Sequence, residues 1–250
     1  FAEVMQAYMA QYGSSEEDFA HIAVQEYANA QFNPYAQMKG IEVSLEQASV
    51  AEGRNRYIVD GLPLKTYDCS QITDGYAGMI LATEEGLARL GVAKADCVEI
   101  AGYGQATDKL LKSGRDVLKP AGAYAAMQAA YDMAGATPDD ISVAEIHDCF
   151  TVMGGLGTEV IGKAAPGEGL RYWKEGKASP KGECGINTSG GLIAKGHPIG
   201  ASGVAMVGWA AWQLLGKVPA ELQVPGAKMA ATFNIGGPIC ASVCTVLKRG

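Results

Sequence analysis

Three short segments hold most of the residues that are capable of chemistry. The first, His147-Asp148-Cys149-Phe150, follows an apolar run that is typical of a strand. A histidine and a cysteine two residues apart can both transfer protons near neutral pH when their surroundings tune their pKa values. His147 and Cys149 are therefore candidates for acid–base catalysis, although a lone histidine or cysteine is more often structural.

The second segment is a glycine-rich loop over 187–203. Within it, Gly196-His197-Pro198-Ile199-Gly200 holds the second histidine rigidly and leaves room for a substrate to approach. Ser202 follows at the start of a predicted helix, where a serine is a typical N-cap and the first N–H groups favour negative charge. Because rigid loops often carry functional groups, this setting favours a functional His197.

The third segment, Asn234-Ile235-Gly236-Gly237, is predicted to turn the chain between two strands. A Gly-Gly turn exposes backbone N–H groups that can face a developing oxyanion, although most such turns only reverse the chain. Groups at strand ends and helix starts converge on one crevice in α/β sheets. Together the three segments predict carbonyl chemistry through an oxyanion, such as acyl transfer or an enolate reaction.

A strand–helix alternation is predicted to position these segments. Strands are predicted over 97–102, 141–146, 228–234 and 241–248, and helices over 121–134 and 202–215. The alternation indicates a layered α/β fold, and the last two strands follow each other directly, which predicts a mixed sheet. The remaining segments are predicted to be helical (1–39, ended by Asn33-Pro34), loop-rich (40–66), a short strand (74–82), a helix (84–90) and an irregular loop (154–186).

Composition excludes several classes of function. The chain has 250 residues and a net charge of −7, which argues against a nucleic-acid partner. No apolar run approaches the roughly 18–20 residues of a membrane span. The six cysteines form no Cys-x-x-Cys pair and the three histidines have no zinc spacing. We therefore expect reduced thiols, no metal site and a cytoplasmic location.

The sequence resembles the thiolase superfamily. Residues 187–203 are similar to the thiolase signature, in which Asn-x-x-Gly-Gly leads into Gly-His-Pro-x-Gly-Ala-(Ser/Thr)-Gly. Residues 147–150 resemble the His-Asp-Cys-Phe of sterol-carrier-protein-2 thiolases and archaeal acetoacetyl-CoA thiolases, where ordinary thiolases have Asn-Glu-Ala-Phe. Residues 234–236 read Asn-Ile-Gly where ordinary thiolases carry a second catalytic cysteine in Cys-x-Gly. With 33–37 and 74–75, the resemblance to this branch covers essentially the whole chain.

The resemblance implies an α/β thiolase fold, with mixed sheets and covering helices in αβαβα layers and an incomplete N-terminal half. It implies three regions. These are a remnant of the thiolase loop domain (1–66), the end of the N-terminal thiolase domain (67–92) and the C-terminal thiolase domain (93–250).

The resemblance also implies a role for each site residue. His197 would activate the nucleophile and stabilise a thioester oxyanion, and Cys149 would take and return the proton at the Cα of acetyl-CoA. His147 would complete an oxyanion hole directly or through water, and the N–H of Gly236 would belong to a second one. The implied enzyme is an acetyl-CoA C-acyltransferase of lipid metabolism and fatty acid β-oxidation. It performs reversible Claisen condensation, or thiolysis, on 3-oxoacyl-CoA, with coenzyme A as substrate and no resident cofactor.

One departure affects activity. The family's nucleophilic cysteine lies upstream of where this sequence begins, and none of the six cysteines has its context. We expect a longer natural protein or a separate chain that supplies the nucleophile, and no turnover by these residues alone. Alternatives are a non-condensing relative that binds acyl-CoA or lipid, and a steroid side-chain retro-aldolase with a small partner subunit. The family implies a homodimer.

Overall fold

The computed structural model describes residues 1–111 and 113–250. The helices are α1 (Ala2–Tyr12), α2 (Glu16–Ala30), α3 (Leu45–Ser49), α4 (Glu84–Leu90), α5 (Ala121–Ala134), α6 (Thr151–Val160), α7 (Gly169–Lys174), α8 (Gly191–Lys195) and α9 (Ser202–Leu215). The strands are β1 (Val98–Thr107), β2 (Val143–Ile146), β3 (Gly185–Ile186), β4 (Met229–Gly236) and β5 (Ala241–Arg249). Within the described residues, no helix combines the length and apolar composition that crossing a bilayer requires.

The strands form one five-stranded sheet in the order β1-β5-β4-β2-β3. β2 is parallel to β3 and β4, whereas β5 is antiparallel to β1 and β4. The predicted mixed sheet is therefore confirmed. The lengths of the connections explain the mixed sheet. A short turn joins β4 to β5 and makes them antiparallel, whereas a long helical crossover joins β2 to β4 and allows them to be parallel. Both β2 and β4 end at the sheet edge that carries the candidate site.

Helix α5 packs unusually close to strand β1. It has the predicted bounds and ends at Gly135, whose φ of 61° is left-handed. A Cβ at Gly104 would lie 1.9 Å from the backbone oxygen of Ala126, and one at Gly102 would lie 2.1 Å from that of Ala130. Glycine is therefore required at both positions on the strand.

The prediction of an irregular loop over 154–186 is wrong, because α6 reaches Val160 and both α7 and β3 lie in this range. Glycines within α6 lower its intrinsic helix propensity, which obscured the helix in the sequence. In the structure they admit close neighbours. A Cβ at Gly157 would lie 2.9 Å from the Ile146 side chain, and one at Gly155 would lie 2.8 Å from Leu170. Tertiary packing therefore decides the conformation here.

The predicted strand over 74–82 is also wrong, although α4 follows with the predicted bounds. A strand needs a neighbour for its backbone N–H and C=O groups, and none of the described strands pairs with this segment. Ile72 and Tyr76 are each 99% exposed. The described residues thus form one sheet of the αβαβα layers that the resemblance implies.

Residues 1–39, which were predicted to be helical, form the two helices α1 and α2. Gly13, with φ of 72°, ends α1, and a capping box between Ser15 and Asp18 starts α2. Helix α2 stops before Asn33-Pro34, as predicted. The 40–66 segment is loop-rich and contains only α3 as an α-helix, which confirms that prediction. Helix α2 buries one face against the C-terminal elements and brings polar side chains to the site loop.

Candidate active site

His147 and His197 meet at one edge of the sheet. His147 follows β2, is only 6% exposed, and donates its backbone N–H to the Phe233 oxygen of β4 at 2.8 Å. Its ring packs edge to face against that of His197, with centroids 5.0 Å apart and planes at 90°. The strand end and the glycine-rich loop are therefore brought together, as the sequence predicted.

His147 is held in its neutral form. Burial lowers the pKa of its imidazole to about 3, and the neighbouring His197 adds to this effect, while a hydrogen bond with the Asn234 side chain opposes it. Its Nδ1 has no hydrogen-bond partner among the described residues. At neutral pH this ring offers one N–H and one lone pair rather than a positive charge.

His197 is fixed through its backbone and its ring. Its N–H donates to Thr73 Oγ1 at 2.9 Å, and its Nδ1 lies 2.6 Å from Ser202 Oγ. The Ser202 hydroxyl donates its proton to the Pro198 oxygen at 3.0 Å. We assign the single Ser202 hydroxyl proton to the Pro198 bond, so that Ser202 accepts from Nδ1–H and Nε2 is the basic nitrogen. Burial lowers the pKa of His197, and the Asp148 charge opposes this, so the neutral base is favoured.

The prediction that Ser202 caps helix α9 is wrong. The N-cap is Ala201, and no side chain there bonds to the helix N–H groups. The Ser202 hydroxyl turns to the histidine instead. Thr73 and Asn234 were likewise not singled out as partners of the histidines, because neither lies in a spacing pattern with them.

Cys149 follows His147 by two residues in the same tetrapeptide and is only 8% exposed. Burial raises the pKa of its thiol to about 12, and the charge of Asp148 contributes. Cys69 forms an isolated bridge with Phe150, and burial likewise raises the pKa of that thiol to about 12. Both are therefore protonated at neutral pH, and neither has the low pKa of an activated nucleophile.

Gly236 closes β4 opposite Ala241 of β5. Its oxygen accepts from the backbone N–H of Cys240 at 3.1 Å, which closes the predicted turn. Since β2 and β4 are parallel and His147 bonds to Phe233, Gly236 lies beyond the same sheet edge as the histidines. Its role in an oxyanion hole stays a prediction.

A buried polar network behind the histidines fixes the loop. Asn187, with φ of 49°, accepts from the Ile146 N–H at 2.7 Å and donates to Glu26 Oε1 at 2.8 Å. Asn29 donates to the Asn187 oxygen at 3.2 Å, and Asn33 donates to the Ser189 oxygen at 2.7 Å. Sequence reasoning did not connect Glu26 and Asn29 of α2, or Asn33 beyond its end, with the site. A polar residue on the apolar face of a helix was the available signal.

Glu145 anchors the same loop from strand β2. Its carboxyl accepts from the Ser189 N–H at 3.1 Å and from the Ser189 hydroxyl at 2.5 Å. Burial raises its pKa to about 7, while the charge of Lys195 opposes the shift.

Known proteins are similar to this chain in sequence and in fold. The family described as thiolase C-terminal domain-like matches residues 104–249. The acetyl-CoA acetyltransferase of Methanothermobacter thermautotrophicus is 35% identical over 95% of this chain and 59% of its own length. Human sterol carrier protein 2 is 36% identical over 97% of this chain and 43% of its own length. The chain thus spans about three-fifths or less of these relatives.

The fold has solved counterparts. The Ltp2-ChsH2(DUF35) aldolase covers 99% of this chain with a TM-score of 0.79 at 20% identity, and 62% of that protein is matched. This likeness concerns the fold, and it confirms the expected thiolase fold. Since the family match covers more than half of the 250 residues and both relatives match nearly all of them, the chain belongs to the thiolase C-terminal domain-like family, on the side of sterol carrier protein 2 and the archaeal acetyl-CoA acetyltransferases.

Proposed function

We propose that this chain is part of an acyl-CoA C-acyltransferase of the thiolase type, which performs Claisen condensation or thiolysis on 3-oxoacyl-CoA. The observation that carries the proposal is the edge-to-face pair of neutral histidines, His147 and His197, with the buried thiol of Cys149 two residues after His147 in the chain. An enolate needs hydrogen-bond donors prepared for its charge and an acid–base group at its carbon. The two histidines are suited to donate hydrogen bonds to an enolate, and the Cys149 thiol is suited to be the acid–base group at its carbon.

The roles follow from protonation states. His197 presents a basic Nε2, because Ser202 accepts its Nδ1–H. It can accept the proton of an incoming thiol. Cys149 rests as a thiol, which is the form that returns a proton to an enolate carbon during thiolysis. His147 stays neutral and offers a hydrogen bond without competing for the proton.

The nucleophile belongs to the proposal as well. Neither Cys149 nor Cys69 has a depressed pKa, and the chain spans 59% of the archaeal relative. We place the nucleophilic thiol in a part of the protein outside these 250 residues, or in a separate chain. Coenzyme A is a substrate here, with no resident cofactor. Assembly as a homodimer, a cytoplasmic location and a part in fatty acid β-oxidation complete the proposal.

Thiolysis of acetoacetyl-CoA by free CoA, measured with the full natural protein, tests this function. We expect turnover that Cys149→Ala reduces by about 10²–10⁴-fold, the usual contribution of an acid–base group. Cys184→Ala is the matched control, because that thiol is also buried and its pKa is also raised to about 12. Absence of thiolysis with 3-oxoacyl-CoA of short and long chains would overturn the proposal.

A retro-aldolase with a small partner subunit is the second candidate. An aldolase complex shares the fold over 99% of this chain, and retro-aldol cleavage also releases an enolate that paired histidines can stabilise. Release of an aldehyde or ketone from a β-hydroxyacyl-CoA, without thiolysis, would favour it. Acyl-CoA binding without either reaction would favour the non-condensing binding protein.

A further inference from the structure

Glu26 meets Asp148 beneath the catalytic segments. Glu26 lies on α2 and is fully buried, as is Asp148. A Cβ placed on Gly191, the first residue of α8, would lie 2.4 Å from both Asp148 Oδ2 and Glu26 Oε1. The two carboxyl groups therefore converge on one point, and only glycine fits there.

The hydrogen bonds leave one oxygen to be satisfied. Asp148 Oδ1 accepts from the Leu192 N–H at 2.8 Å, and its Oδ2 accepts from the Ile193 N–H at 3.2 Å. Glu26 Oε1 accepts from the Asn187 side chain at 2.8 Å. Glu26 Oε2 has no donor among the described residues. A buried carboxylate oxygen without a donor is costly. A protonated Glu26 carboxyl can instead donate to Asp148, whose Oδ2 converges with Glu26 Oε1 on Gly191.

Electrostatics agree with this assignment. Burial and then the charge of Asp148 raise the pKa of Glu26 well above its usual range, and Glu145 adds to the effect, while the Asn187 hydrogen bond opposes it. This direction favours the form in which the two carboxyl groups hold one proton between them.

Asp148 connects the two segments of the site. It lies between His147 and Cys149 in the chain, and its carboxylate binds the first turn of α8, the helix that leads into Gly196-His197. We propose that Glu26 is a positioning residue whose carboxylic acid donates to Asp148 and thereby holds segment 147–150 against loop 187–197, which fixes the contact of the two histidines. The kinetic consequences rest on the proposed function, whereas the geometric consequence does not.

The pairing has a pH consequence. Loss of the shared proton at alkaline pH would place two negative charges side by side, so the wild-type kcat should fall there. The charges that act on Glu26 are those of Asp148 and of Glu145 on β2, and Lys195 on α8 acts in turn on Glu145. The other elements packed against α2 carry Glu159 on α6, Lys174 on α7, and Lys65 and Asp68 before and in the turn at 66–68. A glutamine at position 26 can still donate to Asp148 and accept from Asn187, and it has no proton to lose.

The test compares Glu26→Gln and Glu26→Ala in the full natural protein. We expect Glu26→Ala to lower kcat for thiolysis about 10–100-fold with KM within about twofold, because misplaced groups lose alignment. Glu26→Gln should keep kcat within about threefold and lose the alkaline decline. Glu159→Gln is the matched control, because this buried carboxyl accepts from Tyr8 and lies on α6, outside the site. It should change neither kcat nor the alkaline limb. A folded Glu26→Ala with wild-type kcat, or an alkaline limb retained by Glu26→Gln, would overturn the role.

A second measurement separates this role from the proposed function. The imidazole NMR signals of His147, His197 and His21 are assigned in the same protein by substituting each with Asn, and His21 serves as the internal reference. We expect Glu26→Ala to shift the His147 and His197 signals and to weaken the contact between the rings, and Glu26→Gln to restore both. Unchanged signals in Glu26→Ala would overturn the role even in a protein without thiolase activity. If Glu26→Ala does not fold, the alkaline limb and ring contact of Glu26→Gln still decide.

Discussion

His147 and His197 pack edge to face with ring centroids 5.0 Å apart, one at a strand end and the other in a glycine-rich loop. The buried His147 ring stays neutral, with a pKa lowered to about 3, partly because a second imidazole stands beside it. His197 is less enclosed and has its Nδ1 proton fixed by Ser202. We therefore propose different roles for the two rings: His197 exchanges protons, and His147 donates a hydrogen bond.

Ser202→Ala tests the orientation of His197. Without the hydroxyl, Nδ1–H loses its acceptor and the ring can adopt the other tautomer, so we expect kcat to fall about tenfold or more, since a tautomer error is costly in such sites. Ser202→Thr keeps a hydroxyl and should retain most of the activity. The measurements are kcat and the ¹⁵N shifts of the His197 ring.

Ser142→Ala is the control for this change, because its hydroxyl donates to the Met229 oxygen at the far end of β2. It should leave both readouts unchanged. A Ser202→Ala protein with wild-type kcat and an Nδ1-protonated ring would show that Ser202 does not fix the tautomer, and an Nε2-protonated ring in the wild type would contradict the assigned tautomer.

His147 should make the fold sensitive to acid. Its folded pKa of about 3 lies below its ordinary value of 6.5, so the unfolded state binds more protons between these values. Its contribution is complete above pH 6.5 and is lost as pH falls toward 3. At about 1.36 kcal/mol per unit, the free energy of unfolding should drop by about 2–3 kcal/mol between pH 6.5 and 4.5.

Urea unfolding at the two pH values checks this, with His147→Asn expected to remove that part of the pH dependence. His21→Asn, at a half-buried histidine of α2, should leave it in place. Equal pH dependence in His147→Asn and wild type would show that His147 is not held neutral by the fold.

Gly104→Ala tests the close packing of α5 on β1. The added Cβ would lie 1.9 Å from a backbone oxygen, so we expect a loss of about 3 kcal/mol or more in the free energy of unfolding, at the upper end of overpacking effects. Gly208→Ala is the matched control, because nothing lies within 4 Å of its Cβ position on α9. It should stabilise the protein by about 0.5–1 kcal/mol through helix propensity. Similar effects at the two positions would contradict the packing.

Sequence predicted those elements whose local signals agree with their packing. Helices α4, α5 and α9 have the predicted bounds, each ended by a left-handed glycine, and the mixed sheet followed from two consecutive strands. Helix α6 was missed because its glycines lower the helix propensity of the segment, while in the structure they allow close contact with Ile146 and Leu170. The strand over 74–82 was predicted from its apolar pattern, but a strand also needs a neighbour.

The site was predictable in part. Motifs singled out His147, Cys149 and His197, and the structure brings the two histidines together. The supporting groups Glu26, Asn29 and Ser202 were not recognised as such. Glu26 and Asn29 contact residues far away in the chain, and the Ser202 hydroxyl contacts the His197 ring instead of capping its own helix. Spacing along one segment carries no information about such contacts.

Exchange of the acetyl-CoA methyl protons with deuterated solvent tests the central claim most directly, because it isolates enolate formation from the rest of the cycle. With the full natural protein, we predict exchange that Cys149→Ala reduces by about 10²–10⁴-fold and Cys184→Ala leaves within about twofold. Exchange that survives in a folded Cys149→Ala protein, or a wild-type protein that shows none, would contradict the assignment of this site to enolate chemistry.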